Sequence, residues 1–270
     1  MLHIATVHFQ SPRWIEIQTR YLREHVSVPY QTWTSLAQID PSYGSHFDHV
    51  VDQMGNHPEK LNHLAIEISR EAADDDLLMF IDGDAFPIAD PMPLIDASLA
   101  KAPLMAVRRA ENLDDKQPHP CFCVTTVGAW RRIPGDWSPG YVWRNDNGER
   151  VTDVGANLLR QLEITNTPWV QVLRTNAKNL DQVFYGIYGD VIYHHGAGFR
   201  SDLFTRVRSA ELPTFKPPPR APVVGRLVRR NNFRKRRAWE IKTQADMQRQ
   251  STAMHAKIAG GGREWLAELM

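Results

Sequence analysis

Leu77-Leu78-Met79-Phe80-Ile81-Asp82-Gly83-Asp84 is five apolar residues in a row, closed by an acid, a glycine and an acid. A run that short and uniformly apolar predicts a strand buried on both faces, as strands of a parallel sheet are. Polarity switches at Asp82, so the strand's carboxyl end carries two carboxylates one residue apart. In open α/β sheets, ligands bind outside the carboxyl ends of the strands. Hard oxygen ligands there suit Mg2+ or Mn2+. Such an ion bridges a diphosphate and offsets the charge that builds on it as a bond to a sugar breaks. Gly83 leaves room for a ligand to come close. The same three residues also make an ordinary turn, so the acidic pair needs support from its surroundings.

Upstream, Pro58 opens a helical pattern with Leu61, Leu64, Ala65 and Ile68, expected to run to about Ala73. Asp74-Asp75-Asp76 breaks it just before the strand. Residues 2–8 are short and β-prone, and Ser11-Pro12 then precedes Trp14, Ile17, Tyr21 and Leu22 at helical spacing. Strand, loop and helix in that order open many α/β folds. Further strands are expected at 47–51, 104–108, 121–127, 169–173 and 191–194, and helices at 94–100 and 154–163. Residues 134–148, rich in Gly, Pro, Trp and Asn, read as a long loop.

Residues 57–88, from His-Pro-Glu-Lys-Leu-Asn-His-Leu through Phe-Ile-Asp-Gly-Asp-Ala-Phe-Pro-Ile, resemble the donor-binding segment of GT-A glycosyltransferases. The Ala85-Phe86-Pro87-Ile88 continuation resembles a family-2-like bacterial branch. The resemblance implies a Rossmann-like α/β fold with a mixed, mostly parallel sheet flanked by helices. It implies that Asp82 contacts ribose and metal and that Asp84 ligates metal. Lys60 and Asn62 match helix positions that approach the nucleotide, and the first strand, ending around His8, would line the base pocket. GT-A enzymes often supply a late histidine to the same metal, and here Tyr193-His194-His195-Gly196 follows an expected strand. Imidazole is an acceptable Mn2+ ligand beside carboxylates, and strand alternation lets only one of His194 and His195 face inward. Gly196 and Gly198 would let backbone amides approach phosphate, and Arg200 would pair with it.

Transfer with inversion needs a base for the acceptor hydroxyl. Asp153 in Thr152-Asp153-Val154-Gly155 is the candidate, with Asp181 and Glu149 as rivals; a helix N-cap is the competing role for Asp153. Trp130, Trp137, Tyr141 and Trp143 form either an aromatic platform for an acceptor or simple loop packing.

The 270-residue length fits a catalytic domain over 1–215 followed by a tail over 216–270. The tail starts with a proline-rich linker, Lys216-Pro217-Pro218-Pro219-Arg220, and carries a basic segment at 226–237. A net charge of +1 excludes an overall polyanion binder, but this segment is locally basic. Its interspersed Leu227, Val228, Phe233 and Trp239 fit an anionic membrane surface better than nucleic acid. The two cysteines, Cys121 and Cys123, are too close for an unstrained disulfide and are expected reduced on one face of a strand. With no signal-peptide pattern and no long apolar run, a cytoplasmic protein, peripheral at the inner membrane, is expected.

The sequence therefore points to a hexosyltransferase using a nucleotide-sugar donor and a glycan or lipid-linked acceptor. A sugar-nucleotidyltransferase is the enzymatic alternative, although residues 8–14, His-Phe-Gln-Ser-Pro-Arg-Trp, lack the expected glycine-rich loop. A carbohydrate- or membrane-binding protein with a vestigial acidic pair is the non-enzymatic one.

Overall fold

The computed structural model describes residues 1–52, 54–112, 114–145, 148–178, 184–196 and 222–270. Asp181, Gly198, Arg200 and the proline-rich linker lie outside the described residues. The chain divides into two compact units, Met1–Phe199 with Leu266–Met270, and Arg200–Trp265.

The strands of the first unit are β1 (Leu2–Phe9), β2 (Tyr30–Ala37), β3 (His49–Val50), β4 (Leu77–Asp82), β5 (Ala85–Pro87), β6 (Leu104–Val107), β7 (His119–Thr126), β8 (Trp143–Arg144), β9 (Arg150–Val151), β10 (Val170–Val172), β11 (Gly186–Tyr188) and β12 (Ile192–His194). Its helices are α1 (Ile15–His25), α2 (His57–Glu71), α3 (Met92–Leu99), α4 (Val127–Arg132) and α5 (Ala156–Ile164). Seven strands form one sheet in the order β10-β6-β7-β4-β1-β2-β3. All neighbours are parallel except β7, which runs antiparallel to both β4 and β6. The fold is thus α/β with a mixed, mostly parallel sheet, as the sequence predicts.

The apolar run of β4 behaves as its composition requires. Leu78 and Phe80 enter one core with α2, α4 and α5 residues such as Leu64, Trp130 and Leu158. Met79 and Ile81 enter the opposite core with Leu22 of α1 and Ile95 of α3. Each such side chain contributes roughly 1.5–3 kcal/mol of burial, so the strand is anchored on both faces up to the residue where its acids begin.

α2 starts where the sequence signals it. The Asn56 side chain accepts from the Glu59 amide and the Glu59 carboxylate accepts from the Asn56 amide, a reciprocal capping box with Pro58 in the first turn. β2 is absent from the sequence-based expectations. Its core is Thr32-Trp33-Thr34-Ser35, polar on paper but buried; Thr32 donates its amide and hydroxyl to Asp48. Buried hydroxyls and β-branching make a strand that hydrophobic patterning misses.

The two cysteines depart from expectation. Cys123 joins the core with Phe80, whereas Cys121 joins the opposite core with Met79. The register between β6 and β7 slips between Ala106, opposite Cys123, and Val107, opposite His119. A bulge of this kind breaks strict alternation, so spacing alone gives the wrong face. Both thiols are free.

The second unit contains one long helix, α6 (Pro222–Ala259), which stops at Gly260-Gly261-Gly262. No helix among the described residues is long and apolar enough to cross a membrane.

Candidate metal centre

From β1 the chain passes outward to β2 and β3, then returns to place β4 on β1's other side. β1 and β4 therefore flank a topological switch point, and the crevice beyond their carboxyl ends is where such sheets bind ligands. Asp82 ends β4 at that point, and Gly83-Asp84 turns the chain into β5.

β5 pairs antiparallel with β12 so that Ala85 lies opposite His194, and the His195 amide donates to the Asp84 carbonyl at 3.0 Å. This pairing carries a histidine over a hundred positions away in sequence to the acidic turn. His194 Nε2 lies 3.3 Å from Asp84 Oδ1 and 3.5 Å from Asp82 Oδ2. Ligand atoms of Asp82, Asp84 and His194 all lie within 4.8 Å of one another. Asp82 Oδ1 is buried and accepts no hydrogen bond among the described residues. A buried carboxylate oxygen that accepts no hydrogen bond is costly, and a divalent cation held by two carboxylates and one imidazole fits that donor set.

The electrostatics point the same way. Burial opposes ionisation of Asp84, but the facing His194 holds its carboxyl well below the usual carboxylate range. Burial likewise opposes charge on His194, yet Cys121 and Asp84 raise its pKa well above 6.5. A proton on His194 thus supplies positive charge where a cation would, and a bound metal must displace it.

The turn is held from below. Gln18 of α1 is fully buried and donates its amide to the carbonyls of Asp82 (2.8 Å) and Ala85 (2.7 Å). Its Oε1 accepts from the Thr6 hydroxyl and faces His8 Nε2 at 3.1 Å. An amide oxygen only accepts, so His8 carries its hydrogen on Nε2. Burial pushes the His8 pKa down to about 4, keeping the ring neutral. A Cβ on Gly83 would lie 2.6 Å from the Val7 carbonyl oxygen and 2.8 Å from His8 Nδ1. Only glycine passes between that strand end and the crevice.

The remaining sequence-predicted residues are distributed unevenly. His195 is fully buried, packs its ring on Trp14 at 4.6 Å and places Nδ1 2.9 Å from the Tyr193 hydroxyl. Lys60 is buried in α2. Asn62 clamps the 134–148 loop: its Nδ2 donates to Asp136 and Ser138, and its Oδ1 accepts from the Trp137 amide. Trp130 and Trp137 are buried and stack on each other beside Phe80, so these two pack the core. Tyr141 bonds Glu163, and Trp143 packs against Leu159. Asp153 does not cap α5; Gly155, at φ 85°, holds that position. The Asp153 carboxylate instead lies 3.6 Å from Arg109, which also pairs with buried Asp115 at 3.2 Å. Arg109 and His194 line one small recess with Glu111, Arg174 and Tyr188. Glu149 closes a tight turn with Asn145.

Sequence reading missed several residues around Asp82. His57 Nε2 stands 3.2 Å from Asp82 Oδ1, at an angle that makes no hydrogen bond. His119 Nδ1 lies 3.8 Å from Oδ2, but that nitrogen already accepts from the Cys121 amide. Cys121, on β7, is close enough to His194 for each to bear on the other's charge. His57 opens the very segment quoted above, so the signal was at hand; His119, Cys121 and Gln18 are placed by tertiary packing that no local pattern announces.

No protein-family model and no curated protein matches the chain. Several solved structures are similar at low identity. S. aureus TarS has 9% identity and a TM-score of 0.37 over 51% of this chain and 30% of its own. The galactosyltransferase LgtC, in complex with donor and acceptor sugar analogues, has 12% identity and a TM-score of 0.37 over 59% of this chain and 70% of its own. The apo glycosyltransferase GlyE of Streptococcus pneumoniae TIGR4 has 12% identity and a TM-score of 0.40 over 63% of this chain and 44% of its own. The chain thus spans less than a third of TarS and less than half of GlyE.

Proposed function

We propose that the protein is a metal-dependent glycosyltransferase of the GT-A type, moving a hexose from a nucleotide-sugar to a glycan or lipid-linked acceptor. The observation that carries this reading is the convergence of Asp82, Asp84 and His194 at the β1/β4 switch point, with one Asp82 oxygen buried and unsatisfied. In this reading Asp82, Asp84 and His194 hold Mn2+ or Mg2+. A cation held there supplies positive charge against a diphosphate leaving group.

The chain's own groups do the rest. Gln18 and Gly83 fix the turn so that both carboxylates meet the crevice without reorganising. Asp153, 39% exposed beside Arg109, takes the acceptor hydroxyl proton, giving inversion. Arg109 orients that carboxylate and ties it to the recess lined by His194. Arg200, on the segment after β12, is the partner proposed for the donor phosphates. The setting proposed is the cytoplasm, where both thiols stay reduced.

Incubating the chain with a panel of nucleotide-sugars and Mn2+, with and without EDTA, tests this. The reading predicts metal-dependent release of nucleoside diphosphate, reduced at least about a hundredfold in Asp84→Asn, where a ligand is lost, with an unchanged circular-dichroism spectrum. Release of pyrophosphate would assign a nucleotidyltransferase instead. Undiminished release by Asp84→Asn in EDTA would refute the role of the metal.

A further inference from the structure

α6 concentrates one charge in its first half. Between Pro222 and Trp239 it carries seven basic residues, Arg226, Arg229, Arg230, Arg234, Lys235, Arg236 and Arg237, and no acid before Glu240. Helical geometry sorts these residues. Val223, Leu227, Arg230, Arg234, Arg237 and Ile241 recur at spacings of four, three, four, three and four, which align them in one stripe. Phe233 lies along its edge. The apolar members are exposed: Val223 and Leu227 at 61%, Phe233 at 69% and Ile241 at 55%. Arg230, Arg234 and Arg237 are exposed as well. At about 1.5 Å per residue, the stripe runs roughly 30 Å along the helix.

We infer that this stripe of α6 is a docking surface for an anionic lipid bilayer, with the helix lying in the interface plane. Three arginines at its centre face lipid phosphates. Val223 and Leu227 at one end, Phe233 beside the arginines and Ile241 at the other end enter the acyl boundary. Charge complementarity selects this partner. A second copy of the helix would set the same three arginines against each other. A nucleic-acid backbone would use the arginines but leave large apolar side chains exposed in the same stripe. The inference does not depend on glycosyl transfer: Asp84→Asn is expected to dock as the unmodified chain does.

The test is co-sedimentation of the full chain with vesicles of phosphatidylglycerol and phosphatidylcholine, and with vesicles of phosphatidylcholine alone, near physiological salt. The chain is expected to pellet with the anionic vesicles only. Arg230→Ala with Arg234→Ala should weaken partitioning about twenty-five-fold, at roughly fivefold per arginine. Leu227→Ser with Phe233→Ser, which keeps every charge, should weaken it about tenfold. Helix content by circular dichroism separates loss of docking from loss of α6. Failure of the unmodified chain to pellet, or equal pelleting with neutral vesicles, would overturn the inference. So would undiminished vesicle binding by the Leu227/Phe233 variant, or competition by duplex DNA that this variant does not affect, either of which would assign the stripe to a polyanion without apolar contact.

Discussion

Gly83 shows how narrow the tolerance is at the acidic turn: a single methyl there would overlap the Val7 carbonyl and the His8 ring. The carboxylates on either side depend on neighbours of equal specificity. His57, 37% exposed on its side chain, stands 3.2 Å from the Asp82 oxygen that accepts no hydrogen bond, and Cys121 lies near the ring of His194. Groups that orient metal ligands in this way are typically worth about 10–100-fold in metal affinity. His57→Ala is therefore expected to weaken Mn2+ binding about tenfold, with partial recovery in His57→Gln. Titration of Mn2+ followed by electron paramagnetic resonance reads this directly; unchanged affinity in both variants would make His57 a bystander. At this scale the sequence exposed Asp82, Gly83 and Asp84 because the switch from apolar to acidic falls between Ile81 and Asp82. It did not expose Gln18 or His119, whose roles exist only once α1 and β7 are packed.

At the scale of elements, the sheet positions the metal site and α2 holds the loop at residues 136–138. Asn62 makes three hydrogen bonds to the 136–138 segment, and Asn157 of α5 adds a fourth to Asp136. Burial opposes ionisation of Asp136, but bonds from Ser138, Asn157 and Asn62 bring its carboxyl below the usual range. Asn62→Ala removes three bonds and leaves the Trp137 amide without its partner, a loss of about 1–3 kcal/mol. Urea unfolding should show that drop at unchanged slope. A variant as stable as the unmodified chain would mean the loop is held elsewhere. β4 and α2 were legible because their patterns are local: an unbroken apolar run, and apolar residues at helical spacing behind Pro58. β2 was hidden by its threonines, and the faces of Cys121 and Cys123 by a bulge that spacing cannot show.

For the whole molecule, the buried neutral histidine beneath the site makes stability depend on pH. His8 is held at about pKa 4 when folded, against an ordinary 6.5. Above 6.5 neither state binds this proton and His8 contributes no slope. Between 6.5 and 4 the unfolded chain takes a proton that the folded chain refuses, so stability falls as pH falls, by up to about 3 kcal/mol for this group. His8→Gln should flatten that part of the profile in thermal melts between pH 7 and 4; an unaltered slope would place the acid sensitivity elsewhere. The α/β class was readable from the alternation of strands and helices along the chain, whereas the β1/β4 switch point required the strand order. The central claim is that a divalent cation sits between Asp82, Asp84 and His194. Its most direct test is Mn2+ binding by the purified chain, followed by electron paramagnetic resonance beside Asp84→Asn. The account predicts stoichiometric binding that tightens as pH rises and His194 releases its proton, and that Asp84→Asn abolishes. Equal binding by both proteins, or none by the unmodified chain, would contradict it.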